Sequence, residues 1–298
     1  MARRSATRLT GERPRRSATR LTGERPRRSA TPDSLLALHD AGYRAVLERL
    51  GAGRVLDVGC GEGFETSRLA GDGRRVVGVD YAPEATDAAR RTARGVGPST
   101  RFSVAQMDAL ALGLAGGAFD AVCSSHVIEH IAEPSAHVAE LARVTAASGT
   151  AFVLTPNAPA DFENPFHLRL FGPGDLGAVL RSHFEDVWVG GVDATERVKA
   201  DFAARREKAK KLLRLDVLDL RHRMPRSWYV ALYARLLPVA YVLMARGGSG
   251  GASGITEDDW FVTEDVDDTT LVLFAVCRRP RRPATARETR DDAATTSQ

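Results

Sequence analysis

Short, mostly apolar runs alternate with helical segments along much of this chain, and this alternation constrains the fold more than any other feature. The runs lie at Val55–Val58, Val76–Val79, Phe102–Ala105, Phe119–Cys123 and Ala151–Leu154. Strands covered on both faces give near-continuous apolar runs, and strands that alternate with helices form βαβ units. The sequence therefore predicts an α/β fold with a mainly parallel sheet and helices on both faces.

Three further segments complete the predicted domain organisation. A helical pattern runs from Asp33 to Leu50, and two more strands are expected at Asp186–Val192 and Thr269–Cys277. The segment between those strands is charged and then apolar, which indicates a helical insertion. We predict a core over residues 32–192, an insertion or lid over 193–268 and a last core strand over 269–278.

Both ends of the chain are Arg-rich and are predicted to be disordered, over residues 1–31 and 279–298. The first contains a 12-residue repeat, "RRSATRLTGERP", which is either an electrostatic tether or a duplication without a role. Residues 1–31 carry +8 and residues 278–298 carry +3 of a total of +4, so residues 32–277 carry −7. Because nucleic-acid enzymes more often carry positive charge on the folded body, a nucleic-acid partner is disfavoured.

The location of the protein is predicted from its apolar segments and cysteines. The apolar stretch 228–245 has Arg235 and Pro238 in its middle, which favours a packed or membrane-interfacial helix over a membrane span. The N-terminus has no apolar run typical of a secretory signal. Three widely separated cysteines form no disulfide framework, so we expect a cytoplasmic protein.

A glycine loop follows the first strand, in "VLDVGCGEGFE" (Val55–Glu65). Its glycines are Gly59, Gly61 and Gly63, whereas the dinucleotide motif requires glycine where Phe64 stands. A phosphate-binding P-loop is also excluded, since no Gly-Lys-Ser/Thr follows. Asp57 is expected to face the site, where its carboxylate suits a cationic group such as an ammonium or a sulfonium.

Two more carboxylates follow the next two strands. Asp80 lies 21 residues after Gly59 and suits the two hydroxyls of a ribose. Asp108 is placed to accept from an adenine amino group, with Met107 and Ala109 flanking the ring. Because the carboxyl ends of parallel strands share one edge of a sheet, these groups are expected to meet at one ligand site.

Four motifs, "VLDVGCGEG", "VVGVD", "QMDAL" and "FDAVCSSHVIEHIAEP", together resemble the class I S-adenosylmethionine-dependent methyltransferases, over about Asp33 to Pro156. The resemblance implies a Rossmann-like, seven-stranded sheet with an antiparallel last strand. It also implies that the loop wraps the methionine part of the cofactor, with Asp80 on the ribose and Asp108 near the adenine. The predicted cofactor-binding residues are Asp57, Gly59, Cys60, Gly61, Gly63, Asp80, Tyr81, Met107, Asp108, Ala109 and Ser125.

The candidate catalytic residues are His126, Glu129 and His130, in "SHVIEH", and His167, in "NPFHLRLF". The first three have i, i+3, i+4 spacing and would share one face of a helix. In one hypothesis all four bind a divalent metal that lowers the pKa of an acceptor hydroxyl. The pattern resembles ubiquinone-pathway O-methyltransferases and small-RNA 2′-O-methyltransferases, with His126 where an acid would stand. In the other, His130 is a structural residue or a lone general base.

The sequence thus predicts a methyltransferase acting on a small molecule, most readily at a hydroxyl. Alternatives are a protein or RNA methyltransferase, a non-catalytic S-adenosylmethionine-binding partner protein, and an NAD oxidoreductase, which the glycine spacing disfavours. Tyr229 and Tyr233 either stack on the acceptor or pack within the insertion. The acidic segment Ile255–Asp268, with Trp260 and Phe261, either closes the pocket or is a solvated loop.

Overall fold

A computed structural model of the protein describes residues 31, 33–71, 73–97, 101–161, 166–213 and 254–282. The strands are β1 (Gly53–Val58), β2 (Arg74–Asp80), β3 (Phe102–Gln106), β4 (Phe119–Ser125), β5 (Thr145–Pro156), β6 (Phe184–Ala194), β7 (Trp260–Thr263) and β8 (Val272–Pro280). The helices are α1 (Asp33–Leu47), α2 (Phe64–Arg68), α3 (Pro83–Gly95), α4 (Pro134–Val144), α5 (Pro173–Arg181) and α6 (Glu196–Leu213). Helices α3, α4 and α5 each begin at a proline, whose fixed φ suits the first helical position.

The eight strands form one sheet in the order β3-β2-β1-β4-β5-β8-β6-β7. Strands β1 to β5 all run parallel to one another, whereas β8 runs antiparallel to both β5 and β6. The order reverses between β1 and β4, and open α/β sheets bind ligands outside the carboxyl ends of the strands at such a point. The predicted Rossmann-like fold is confirmed, with one strand more than expected.

Apolar side chains cover both faces of the sheet, as the near-continuous apolar runs predicted. Along β5, Phe152 and Leu154 pack with the side chains of α1 and α6 on one face. Ala151 and Val153 pack with α4 and α5 on the other face. Since successive side chains of a strand point to opposite faces, a strand buried on both faces has no polar period.

The additional strand is β7, which lies inside the acidic segment Ile255–Asp268. It pairs antiparallel with β6, and Trp260 is only 2% exposed. Arg44 of α1 bonds Asp258 at 2.8 Å and the Trp260 carbonyl oxygen at 2.8 Å, which ties the segment to α1. This segment is thus an edge of the sheet, and neither of the two loop interpretations describes it.

Other sequence predictions fall partly or wholly outside the described residues. These are the N-terminal repeat, the apolar stretch 228–245 with Tyr229 and Tyr233, and most of the C-terminal tail. At the predicted boundaries, β6 continues to Ala194 and β8 to Pro280, so the sheet reaches past residues 192 and 278. Among the described helices, none is both long and apolar enough to cross a membrane.

Candidate functional site

The glycine loop (Gly59–Gly63) leaves β1 beside the point where the strand order reverses. All three of its glycines have positive φ, of 85°, 54° and 79°, a region in which other residues are strained. The backbone N–H groups of Gly59 and Cys60 both donate to the Val79 carbonyl oxygen, at 2.7 and 3.0 Å. The loop is therefore fixed against the end of β2 by its own backbone.

The glycines of this loop differ in what surrounds them. A Cβ on Gly59 would lie 2.3 Å from Cγ2 of Val127, and one on Gly63 would lie 3.1 Å from Cβ of Ala89. A Cβ on Gly61 would meet no described atom within 4 Å. The loop is thus packed at both ends and open in the middle, where a ligand can approach the backbone closely.

Asp57 lies beneath this loop and not on its open side, which differs from the sequence expectation. Its side chain is fully buried, and its oxygens accept hydrogen bonds from the hydroxyls of Tyr43 at 3.0 Å and Thr66 at 2.5 Å. Burial raises the pKa of Asp57 to about 6, although both hydrogen bonds act in the opposite direction. In this structure the carboxylate supports the loop from the interior.

Asp80 and Asp108 lie at the rim, as the sequence predicted. Asp80 accepts from the backbone N–H of Gly61 at 3.1 Å through one oxygen and from that of Ala82 at 2.9 Å through the other. Asp108 accepts from the Leu110 N–H at 2.7 Å. Both carboxylates are half-buried, which leaves each of them with accessible surface for a ligand hydroxyl or amine.

The other predicted cofactor residues differ in their exposure. Tyr81 is 48% exposed beside Asp80, whereas Met107 and Ala109 are partly buried and pack against the core. Cys60 is buried, and burial together with Asp57 and Asp80 raises the pKa of its thiol, so it offers a backbone contact and no thiolate. The Ser125 hydroxyl at the end of β4 is buried and makes no hydrogen bond to the described residues.

The segment that follows β4 carries His126, Glu129 and His130, but it is not an α-helix. His126 has a positive φ of 55°, and residues Ile128–His130 form one 3₁₀ turn. The prediction that the three side chains share a helix face is therefore wrong. They still meet, because the left-handed residue turns the chain back and places Glu129 near both imidazoles.

Glu129 is the centre of this group and is only 1% exposed. One carboxylate oxygen accepts from the Thr155 hydroxyl at 3.1 Å, and the other lies 3.3 Å from Nδ1 of His126, at ion-pair distance but without hydrogen-bond alignment. Burial alone would raise the pKa of Glu129. The contact with His126 and the charges of His130, His126 and His167 outweigh burial and lower that pKa to about 2.

The two remaining histidines each have Nδ1 close to an oxygen. Nδ1 of His130 lies 3.0 Å from the Phe166 carbonyl oxygen, and Nδ1 of His167 lies 2.8 Å from the Asp161 carboxylate. A carbonyl oxygen can only accept, so Nδ1 of His130 carries the proton and Nε2 has the lone pair. Burial lowers the pKa of His130, with His167 and His126 adding to the effect and Glu129 opposing it.

Three of the four predicted metal ligands form a compact group. Glu129, His130 and His167 each offer one ligand atom, and these atoms lie within 4.8 Å of one another. His126 is outside this group and contacts Glu129 and His39 instead. Imidazole nitrogens backed by a carbonyl or a carboxylate are typical of metal-binding histidines, so this donor set fits a divalent ion.

Sequence reasoning missed the residues that hold this site together. They are Tyr43 and Thr66 under the glycine loop, Thr155 and Asp161 beside the histidines, and His39, whose ring centroid lies 4.5 Å from that of His126. One signal was present for two of them. His39 and Tyr43 have i, i+4 spacing on α1, which places both on one helix face.

Comparison with known proteins agrees with this geometry. Residues 56–153 match the family described as "Methyltransferase domain". A probable S-adenosylmethionine-dependent methyltransferase of Mycobacterium tuberculosis is 33% identical over 161 residues, which are 52% of this chain and 57% of that protein. A ubiquinone biosynthesis O-methyltransferase of Xanthomonas axonopodis pv. citri is 38% identical over 119 residues, 40% of this chain and 49% of that protein. The chain thus spans only about half the length of these curated relatives.

Solved structures share the fold at low sequence identity. A possible histamine N-methyltransferase from Thermotoga maritima superposes with a TM-score of 0.52 at 15% identity, covering 82% of this chain and 91% of that one. The cyclase SpnF superposes with a TM-score of 0.51 at 20% identity, covering 82% and 81%. The family match over residues 56–153, the relatives and the glycine loop at the strand-order reversal together identify an S-adenosylmethionine-dependent methyltransferase domain in this chain.

Proposed function

We propose that the protein transfers a methyl group from S-adenosylmethionine to a hydroxyl of a small molecule, with His130 as the general base. The observation that carries this proposal is the orientation of His130. Its Nδ1–H donates to a backbone carbonyl, so Nε2 keeps the lone pair. His130 lies in a partly buried group and donates its backbone N–H to the carbonyl oxygen of Val127, whose side chain packs against Gly59. The cyclase among the structural neighbours shows why the fold alone does not settle the reaction.

The residues on the cofactor side fit S-adenosylmethionine. The open middle of the glycine loop admits a close backbone contact to the amino-acid part, and the half-buried Asp80 offers a carboxylate to ribose hydroxyls. Asp108 at the end of the neighbouring strand provides an acceptor for the adenine amino group. When bound, S-adenosylmethionine supplies an electrophilic methyl group on a sulfonium, a leaving group that needs no protonation.

The chain then has to orient the acceptor and remove one proton. His130 would accept the proton of the acceptor hydroxyl on Nε2, which would make that oxygen the nucleophile for the methyl group that the cofactor supplies. A lowered pKa keeps the imidazole neutral near pH 7 and ready to accept. Glu129, anionic and buried, stabilises the imidazolium that forms, because the charges of the two groups are opposite.

Two observations favour a small-molecule acceptor over a nucleic acid. Residues 32–277 carry a net charge of −7, which repels a polyanion. Among the relatives, the Xanthomonas proteins are named ubiquinone biosynthesis O-methyltransferases. An O-methyltransferase methylates an oxygen of its acceptor, such as a hydroxyl. We therefore favour a neutral or cationic small molecule that carries a hydroxyl. A cytoplasmic enzyme, with or without interfacial contact with a membrane, remains our expectation.

The direct test is transfer of labelled methyl from S-adenosylmethionine into the small-molecule fraction of a source-cell extract. Wild type, His130→Gln and His183→Gln are compared, since His183 is a histidine away from the site that contacts Ser135. We expect label in a small organic product, a loss of about 100-fold or more for His130→Gln, and none for His183→Gln. Label only in protein or RNA would contradict the proposal.

Metal-assisted transfer is a second candidate. It is favoured because Nδ1 of His130 lies near a carbonyl oxygen and Nδ1 of His167 near a carboxylate, which leaves Nε2 of each ring as a ligand atom. Glu129 and the two imidazoles would hold a divalent ion, which would supply positive charge that lowers the pKa of an acceptor hydroxyl. Metal content and transfer rate after dialysis against a chelator decide between the two versions. A rate that falls with the metal and returns with added Mg²⁺ or Zn²⁺ favours the metal, and an unchanged rate favours His130 as a plain base.

A further inference from the structure

We infer that His39 of α1 is a positioning residue for the acceptor side of the site, the group formed by His126, Glu129, His130 and His167. His39 holds the His126 ring against the Glu129 carboxylate. The catalytic part of this inference rests on the proposed function, whereas the contact itself does not. His39 precedes residues 56–153, which the methyltransferase family covers, so this part of the site lies outside the family region.

The backbone of His126 is in an uncommon conformation. It has a φ of 55°, which is uncommon for a residue with a side chain, and its N–H donates to the Leu154 carbonyl oxygen at 2.9 Å. Such a conformation persists only where the surroundings fix it. Besides making that hydrogen bond, His126 contacts the Glu129 carboxylate at 3.3 Å and the His39 ring, with centroids 4.5 Å apart.

Helix α1 holds His39 in place through ion pairs and hydrogen bonds of neighbouring residues. Its neighbour Asp40 accepts from Arg68 at 3.0 Å, and the same guanidinium donates to Glu257 at 2.7 Å. One turn later Arg44 bonds Asp258 and the Trp260 carbonyl oxygen. These contacts fix α1 between α2 and the start of β7, so the ring of His39 stays at a fixed distance from the acceptor side.

The contact between His39 and His126 is an aromatic ring contact. The two imidazole rings meet at an interplanar angle of 60°, an edge arrangement typical of aromatic pairs. Burial lowers the pKa of His39 well below its ordinary value, with His126 acting in the same direction and Glu129 against it. A neutral ring can pack against His126 without repelling it, and it restricts rotation of His126 away from Glu129.

The position of the His126 ring affects Glu129 and, through Glu129, the proposed base His130. The Glu129 oxygen that faces His126 makes no aligned hydrogen bond to the part of the chain that the structure describes, so its contact depends on the position of the His126 ring. A mobile His126 would change the charge environment of the neighbouring base. His39 acts in this way through His126 and need not touch the acceptor or the cofactor.

The test compares His39→Ala, which removes the ring, with His39→Phe, which keeps an aromatic ring and removes the nitrogens. Leu35→Ala is the matched control, because Leu35 is a partly buried residue of the same helix that packs on the core. Three quantities are measured: labelled methyl transfer into the extract's small-molecule fraction, affinity for S-adenosylhomocysteine, and the His126 ring signal in NMR spectra of histidine-labelled protein.

We expect His39→Ala to lose tenfold or more in transfer rate, to keep its affinity for S-adenosylhomocysteine within twofold, and to broaden or split the His126 signal. His39→Phe should keep at least half the rate and a single His126 signal. Leu35→Ala should melt at a lower temperature with a wild-type rate and a wild-type His126 signal.

A wild-type rate and an unchanged His126 signal in His39→Ala would overturn the inference. Equal inactivity of the Phe and Ala variants would overturn it too, because a nitrogen of His39 and not its ring contact would then be required. If wild type transfers no methyl although it binds S-adenosylhomocysteine, the proposed function fails by itself. The His126 signal in the two variants would still decide whether His39 positions that ring.

Discussion

The two parts of the site that we assign to the cofactor and to the acceptor, the cofactor side and the acceptor side, are built in different ways. The glycine loop is formed by consecutive residues, is fixed by backbone hydrogen bonds, and is open in the middle. The acceptor side collects buried and partly buried ionisable side chains from α1, from the turn after β4 and from the segment beyond β5. In the proposed function, binding of the cofactor therefore depends on backbone shape, whereas the chemistry depends on side-chain contacts between distant segments.

The largest effect that separates the two sides is expected for Gly59→Ala. The new Cβ would clash with Val127 at 2.3 Å, and φ is +85°. We expect binding of S-adenosylhomocysteine to weaken by about 100-fold or more, about 2.7 kcal/mol, or folding to fail. Gly97→Ala is the control, because Gly97 has nearly the same φ, +87°, and an added Cβ would meet no described atom within 4 Å. Calorimetric titration of both variants checks this, and equal binding by the two would refute the role of packing.

A smaller effect, confined to the acceptor side, is expected for Thr155→Val. The variant keeps the shape of the side chain and removes the hydroxyl that donates to Glu129 at 3.1 Å, which costs about 1–3 kcal/mol of stability. Methyl transfer should fall about tenfold with unchanged binding of S-adenosylhomocysteine. Thr145→Val removes another buried hydroxyl, which donates to the Leu141 carbonyl oxygen, and should lower stability alone. A rate loss of the same size in Thr145→Val would remove the claim of a local effect.

The two buried carboxylates sharpen the comparison through pH, and Glu129 comes first. Its pKa in the folded protein is about 2, against an ordinary value of 4.5. The stability that it contributes is therefore fully present above about pH 4.5 and is lost as the pH falls through about 2. Wild type should lose its stability advantage over Glu129→Gln on acidification through this window. Thermal melting of both proteins at several pH values measures the difference, and a constant difference would contradict it.

Asp57 should show the opposite sign and a smaller effect. Its pKa is raised from 3.8 to about 6, so its contribution is fully present below pH 3.8 and is lost as the pH rises through about 6. Asp57→Asn should therefore gain stability relative to wild type as the pH rises through that window. Melting temperatures of the pair at pH 4 and pH 7 check this. A gain on acidification instead would show that the carboxylate is stabilised by a contact other than those with Tyr43 and Thr66.

The same contrast explains what the sequence predicted. The glycine loop and Asp80 follow from a local pattern, because a strand, a glycine-rich turn and a strand-end acid specify their own geometry. Asp57 and Glu129 were found as residues, but their surroundings were not. Tyr43 is 14 residues from Asp57, and Thr155 is 26 residues from Glu129, so their contacts exist only after the sheet has formed.

Two other differences have local causes. Strand β7 has only four residues between acidic turns, and so short a segment gives little period to detect. The expectation that His126, Glu129 and His130 share a helix face rested on their i, i+3, i+4 spacing. That spacing is also compatible with a left-handed residue followed by a 3₁₀ turn, which is what the structure shows. Spacing alone gives proximity along the chain, and the backbone conformation decides which groups meet.

The separation of cofactor binding from methyl transfer is tested most directly on His130→Gln. Binding of S-adenosylhomocysteine and labelled methyl transfer at saturating S-adenosylmethionine are measured on the same preparation. We expect wild-type affinity for S-adenosylhomocysteine together with a loss of transfer of about 100-fold or more. Transfer at the wild-type rate would contradict the assignment of the chemistry to the acceptor side, and a parallel loss of affinity would contradict the separation of the two sides.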